Sequence, residues 1–325
     1  MLNETDGWSR RSGIGAEGLQ GEGVVKQQTI AEKVSCTGIG LHTGAPVQVT
    51  LLPARADSGI VFVRTDCAHP LEIAARPAAV SSTERATTLG RGGVTISTVE
   101  HLLAALYGLG IDNVRIEVDG GELPVMDGSA ASFVYLIRSA GVFEQREPRC
   151  ALRLRRPIEV LDGDRRISLA PSRTFQVTYA VDFDHPAIGR QEYRLGSFDP
   201  DGFERDLSAA RTFGFLNEAE ALWSSGLGRG GSLQNTVVLD DQRVLNHDGL
   251  RWPDEFVRHK ILDLLGDLAL LGVPIQGHVR VERGGHSLHQ RLLAALLENS
   301  DAWWIHDPDP ASVAPTHLIS AERAA

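Results

Sequence analysis

No stretch of the 325 residues approaches the eighteen or so consecutive apolar residues of a spanning helix, so no transmembrane segment is expected. The opening MLNETDGWSRRSG lacks the apolar core of a signal peptide, and Glu4, Asp6, Glu17 and Glu22 count against a transit peptide. Only three cysteines occur, Cys36, Cys67 and Cys150, without a CxxC pair. That sets aside a disulfide framework and a cysteine zinc site, and suits a reducing, cytoplasmic setting. Positive charge is short: 32 Lys and Arg against 42 Asp and Glu leave a net charge of -10, which argues against a nucleic-acid partner. A GxxxxGKS/T loop, a GxGxxG turn from strand into helix and a GxSxG elbow are all missing. Nucleotide triphosphate, dinucleotide and serine-hydrolase chemistry are therefore set aside. The run GLGRGGS over 226–232 reads as a flexible bend.

With 42% hydrophobic and 23% charged residues, the composition is that of a globular protein with a sizeable core. The length suits two medium domains. Residues 1–26 are Gly-rich and without period, which predicts a disordered N-terminal extension. Alternation over 47–54 and 59–66 predicts strands, followed by a helix at 97–109, a strand at 113–118 and a helix at 129–140. The polar EQREP over 144–148 interrupts the pattern, and new alternation starts at Ala151. Strands are expected at 151–160, 165–171, 175–183, 236–241 and 278–284, with helices at 218–225, 254–271 and 287–298. The expectation is thus an α+β N-terminal domain over 27–149, an α+β C-terminal domain over 150–306 and a loose tail over 307–325. Both halves run strands, helix, strand, helix, a duplication of layout without a residue-by-residue repeat.

The helix over 254–271, DEFVRHKILDLLGDLALL, carries the most chemistry. His259, Asp263 and Asp267 are four residues apart, so each is rotated only ~40° from the last and all three share one stripe. A His and an Asp at that spacing can offer an imidazole nitrogen and a carboxylate oxygen to one cation. Each also has an ordinary reading: Asp263 can pair with Lys260 or Arg258, and Asp267 can be a solvated helix charge. His101 is the best third ligand. Glu100 beside it diverges by ~100° on a helix and so would do a different job, taking a proton from a water that the metal activates. The residues alone leave this open, because Ser97-Thr98-Val99-Glu100 also reads as a capping box. His286 follows Gly284 and Gly285, which could bring it close to a ligand, but on the residues alone the run reads as a turn before a helix. Thr212 has no generic meaning, although a hydroxyl beside a metal can stabilise an oxyanion.

Several segments together resemble one family, the UDP-3-O-acyl-N-acetylglucosamine deacetylases, zinc enzymes of the committed step of lipid A synthesis. They are GIGLHTG (38–44), ISTVEHLLAALYGLGIDN (96–113), PVMDGSAASFV (124–134), DFDHPAI (182–188), ARTFGF (210–215), VLNHDGLRWPDEFVRHKILDLLGD (244–267) and GGHSLHQ (284–290). The resemblance implies two similar domains, each a two-layer helix-on-sheet sandwich, with the active site in the cleft between them. It implies His101, His259 and Asp263 as zinc ligands and Glu100 as general base. His286, oriented by Asp267, is implied as the group that stabilises the oxyanion or protonates the leaving amine, and Thr212 as an oxyanion contact. Lys260, facing a diphosphate, Phe213, Leu41 and His42 resemble substrate contacts. The segment 216–246 is implied to line a passage for the fatty acyl chain. Such a ligand set accepts iron(II) as well as zinc. The implied partner is the UDP-linked acylated glucosamine; no partner subunit is demanded, so a monomer is expected. One departure stands out: Arg85 falls where the family carries Leu or Met near the acyl-facing site. Two other readings use the same residues, a binding module with a structural metal and a zinc amidase acting on another sugar or peptide.

Overall fold

The computed structural model describes residues 24–196 and 198–308. The extension expected over 1–26 lies outside the described residues except for its last three, and the tail expected over 307–325 lies outside them except for 307–308. Lys26 already belongs to a strand, Lys26–Ile30, which pairs antiparallel with Val142–Pro148. The polar EQREP is therefore strand and not a break. Period-two patterning misses it because this two-stranded ribbon leaves most of its second strand half-buried or exposed, with no apolar face to mark it.

Six helices fall among the described residues: α1 Glu100–Leu109, α2 Ala131–Ala140, α3 Pro200–Asp206, α4 Leu216–Ser224, α5 Glu255–Ala269 and α6 His286–Glu298. The first main sheet runs in the order Val34–Ile39, Pro46–Pro53, Val114–Val118, Ile60–Arg64, Leu71–Ala74. Its alternation turns Val47, Val49, Leu51, Val114, Ile116 and Val118 into the core. The second sheet has seven strands around Ile275–Glu282, which pairs antiparallel with Arg165–Pro171 and parallel with Gln176–Phe183. The fold is α+β.

The expected repeat of layout is visible in the pairing. In the first half, the parallel strands Ile60–Arg64 and Val114–Val118 are joined by a connection that carries α1. In the second, the parallel strands Gln176–Phe183 and Ile275–Glu282 are joined by one that carries α5. Parallel strands need such a crossover, and a helix is its usual content. The two crossover helices pack on each other, both almost wholly buried. The apolar core runs without a break from Ile30 in the first half to Ala302 in the second. Close approach is possible because Gly266 of α5 lies against the Glu100 backbone of α1, where any Cβ would collide with the carbonyl.

Two local differences from expectation matter. The helix expected from residue 97 begins at Glu100, because Thr98 takes a left-handed backbone, φ +58°. Ser97 exchanges backbone bonds with the next chain segment instead, donating to the Gly121 carbonyl (2.9 Å) and accepting from the Leu123 N–H (3.0 Å). α3 has no period to reveal it in seven residues; it forms because the Asp199 carboxylate accepts from the Gly202 N–H (2.7 Å), with Pro200 starting the first turn.

Candidate metal centre and active site

The crossing of α1 and α5 brings His101 beside His259 and Asp263, residues more than 150 positions away. The ligating atoms of the three lie within 4.8 Å of one another, and all three side chains are buried. His259 Nε2 is 3.4 Å and His101 Nε2 is 3.8 Å from Asp263 Oδ1. The His259 Nδ1–H donates to the Ala210 carbonyl (3.0 Å), which leaves the Nε2 lone pair facing the group. Burial drives both imidazoles toward neutrality and takes His101 down to about 3, with His259 adding to the effect. Burial alone would raise Asp263, but His259, Lys260 and His286 more than offset it and hold the carboxyl well below the usual range. Two neutral imidazoles and an ionised carboxylate are the protonation states that a divalent cation requires, so the donor set fits a metal.

Glu100 does not serve as a cap. Ser97 Oγ accepts from Thr88 Oγ1 (3.2 Å), and the N-cap of α1 is Val99, which makes no side-chain cap bond. The Glu100 carboxylate instead accepts from the Thr87 N–H (3.1 Å). Burial raises it to about 7; His286 acts against that and Asp263 with it. His286 donates from Nδ1 to Asp267 Oδ2 (2.8 Å), which aims Nε2 at Glu100 Oε1 (3.9 Å) and Asp263 Oδ2 (4.0 Å). Burial would lower His286, but Asp267 above all, then Asp263 and Glu100, raise it to about 9. Asp267 is fully buried. Desolvation there is outweighed by His286 and His289, and its carboxyl falls to about 2. Asp267 is thus not a solvated charge, and Gly284-Gly285-His286 is more than a turn.

Sequence reasoning missed three members of this cluster. Thr87 donates its hydroxyl to Asp267 Oδ1 (2.5 Å), and His289 donates from Nδ1 to Asp267 Oδ2 (2.7 Å). The available signal for His289 was its place in the first turn of the helix expected over 287–298, three residues after His286. Glu122 is the third. Its buried carboxylate accepts from the N–H of His42 (2.8 Å), the N–H of Thr43 (2.8 Å), the Thr43 hydroxyl (2.6 Å) and the Thr98 hydroxyl (3.1 Å). Those bonds fix the loop bearing Leu41 and His42.

A pocket of about 560 Å³ opens beside these groups, lined by Leu41, His42, Arg85, Thr212, Phe213 and Lys260 among others. Both ring nitrogens of His42 are buried without a partner. Thr212 and Phe213 are held by Arg211, whose guanidinium meets Glu255 of α5 through two bonds (2.8 and 3.1 Å), both side chains nearly fully buried. Leaving one partner of such a pair alone costs ~3–5 kcal/mol. Phe213 packs edge-on to His259, centroids 6.3 Å apart. Lys260 Nζ sits 5.5 Å over the Phe213 ring and donates to Asp263 Oδ2 (2.9 Å). The far wall is apolar, with Phe215, Leu216, Leu222, Trp223, Val238 and Leu245. The Gly-rich run expected to bend freely is tied down: the N–H groups of Arg229 and Gly230 donate to the carbonyls of His42 (3.1 Å) and Leu41 (3.0 Å). A second cavity, about 330 Å³, lies by Tyr107, Asp112, Arg149 and residues 269–274 and contains none of the expected site residues.

An α+β protein that gathers two neutral imidazoles, an ionised carboxylate and a buried carboxyl balanced near neutrality at an apolar pocket has the equipment of a metal-dependent hydrolase. The family model described as LpxC, UDP-3-O-acyl N-acetylglycosamine deacetylase, matches residues 27–298. The UDP-3-O-acyl-N-acetylglucosamine deacetylase of Myxococcus xanthus is 51% identical over 279 residues, 86% of this chain and 88% of that one. Proteins of the same name from Cellvibrio japonicus and Geotalea uraniireducens are each 48% identical. The first match covers 91% of this chain and 98% of its relative; the second covers 87% and 92%. The chain belongs to the UDP-3-O-acyl N-acetylglycosamine deacetylase family.

Proposed function

We propose that this protein hydrolyses the N-acetyl group of UDP-3-O-(3-hydroxyacyl)-N-acetylglucosamine, releasing acetate in the committed step of lipid A synthesis. The observation that carries the reading is the convergence of His101, His259 and Asp263 within 4.8 Å, next to the Glu100 carboxyl. These three residues hold the metal, zinc or iron(II), which when bound polarises the acetamide carbonyl and acidifies a water. Glu100, buried beside these three residues, takes the proton of the attacking water. The Thr212 hydroxyl and the His286 imidazolium, oriented by Asp267, support the developing oxyanion. His286 already carries a proton that the leaving amine needs.

Substrate recognition follows from the pocket lining. Lys260 meets the diphosphate, Leu41 and Phe213 pack on the sugar end, and the unpartnered His42 ring offers a hydrogen bond that substrate would complete. The apolar wall from Phe215 to Leu245 receives the acyl chain, and about 560 Å³ is within the ~300–1,000 Å³ usual for small-molecule sites. We assign 27–149 and 150–306 as the two units that meet at this site, and read the protein as a cytoplasmic monomer. Among the described residues no helix is long and apolar enough to cross a membrane.

The test is acetate release from that substrate by purified protein, before chelation, after it, and with zinc or iron(II) restored. Release that disappears with chelation and returns with metal is expected. If folded, metal-loaded protein releases acetate only from acyl-free sugars or peptides, the substrate assignment is wrong; if it releases none from any, the protein is a binding module.

A further inference from the structure

Behind Asp267 lies a second buried histidine that the chemistry above does not use. His289 and Tyr179 are both fully buried. Asp267 Oδ2 accepts from two imidazoles at once, His286 Nδ1 at 2.8 Å and His289 Nδ1 at 2.7 Å. On the far side, the Tyr179 hydroxyl lies 3.2 Å from His289 Nε2. The polarity of this line is set by its members. An ionised carboxylate only accepts, so the proton between Asp267 and His289 is on Nδ1. With Nδ1 protonated and the ring neutral in its buried site, Nε2 is an acceptor, and Tyr179 must donate to it. Tyr179 keeps its proton because burial raises the phenol well above its ordinary range. Gly284 belongs to the same design: a Cβ there would stand 2.5 Å from the Tyr179 hydroxyl, so the glycine lets the turn into α6 close over it.

We infer that His289 is a positioning residue of the reaction, fixing the rotamer of Asp267 and through it the orientation of His286, with Tyr179 fixing the tautomer of His289. The inference rests on the deacetylase reading only for its effect on turnover. Without the His289 donor, the Asp267 carboxylate is free to turn toward its remaining partners, Thr87, His286 and Gln290, and the aim of His286 Nε2 toward Glu100 is lost. A side chain that only filled space would have no such effect.

The test uses the full-length, metal-loaded enzyme. His289→Leu keeps the volume and removes the donor; His289→Asn restores an amide donor near the Nδ1 position. Loss of a group that orients a site residue from outside the ligand shell typically costs about 10–100-fold. His289→Leu is expected to lower kcat by about tenfold at little-changed KM, with His289→Asn recovering most of it. Nitrogen-15 NMR of the histidines should find His289 in the Nδ1–H tautomer, with Nε2 losing its hydrogen-bonded shift in Tyr179→Phe. This readout needs no turnover, so it separates a failure here from a failure of the deacetylase reading. An Nε2–H tautomer in the wild type overturns the inference. So does a folded His289→Leu enzyme with wild-type kcat, or loss of kcat that follows melting temperature equally in the Leu and Asn variants.

Discussion

Gly266 of α5 rests directly on the backbone carbonyl of Glu100 in α1. Through that contact the helix bearing His259 and Asp263 reaches the one bearing His101, and a side chain there has no rotamer by which to escape a backbone atom. In an open helix, Gly→Ala stabilises by ~1 kcal/mol. Here the sign should reverse: Gly266→Ala forces α1 and α5 apart at an overpacking cost of ~1–3 kcal/mol. His101 moves with α1, so metal affinity falls together with stability. Thermal unfolding of the metal-free protein and a zinc titration check both; a higher melting temperature with unchanged affinity would show slack between the helices.

Glu100→Gln keeps the acceptor for the Thr87 N–H and removes the base. Turnover should drop by ~10²–10⁴-fold, the usual worth of a positioned general base. Metal content should not change, because the proposed ligands are His101, His259 and Asp263. Single-turnover acetate release and metal analysis on the same preparation decide it, and near-normal release would remove Glu100 from its role.

The pH dependence follows from two opposed groups. A base acts once it has lost its proton, so kcat/KM should rise as pH passes through the titration of Glu100, which burial puts at about 7 in the metal-free site. Bound metal, a nearby positive charge, moves that limb to lower pH. An acid acts while it holds its proton, so kcat/KM should fall as pH rises through the titration of His286, which Asp267 raises to about 9. His286→Gln should flatten the alkaline limb and move the acidic one to higher pH, because the imidazolium that lowers Glu100 is gone. An alkaline limb that persists in that variant belongs to another group.

The residues along one helix were legible from spacing: the four-residue steps of His259, Asp263 and Asp267 marked the functional stripe of α5. What periodicity cannot supply is the meeting of distant segments. Thr87 and Asp267 are 180 positions apart and share a hydrogen bond, and no local pattern in either announces the other. Glu122 illustrates a different limit, since two of its four donors are backbone N–H groups of a loop, which any sequence possesses. The capping-box pattern at Ser97 misled for a local reason, the left-handed turn at Thr98. The roles proposed for His101 and Glu100 rest on the resemblance and on the crossing of α1 with α5, not on their own neighbourhood.

At the pocket mouth, Arg85 and Glu218 of α4 form an ion pair at 3.2 Å, with 44% and 48% of their side chains exposed. Exposed pairs contribute ~0.2–1 kcal/mol, so Glu218→Ala should leave the melting temperature almost unchanged. α4 has no buried residue of its own, and Leu216 and Leu222 of its apolar face line the pocket. A tether worth that little still matters to a wall that must be in place when the acyl chain arrives. Its loss should raise KM for the long-chain substrate by up to about fivefold, the equivalent of ~1 kcal/mol, and leave acyl-free analogues alone. The Arg85→Glu, Glu218→Arg double variant restores opposite charges and should recover the lower KM, while high salt should erase the difference by screening. Equal KM values in the wild type and both single variants, or a double variant no better than either, would show that the pair does not shape acyl entry.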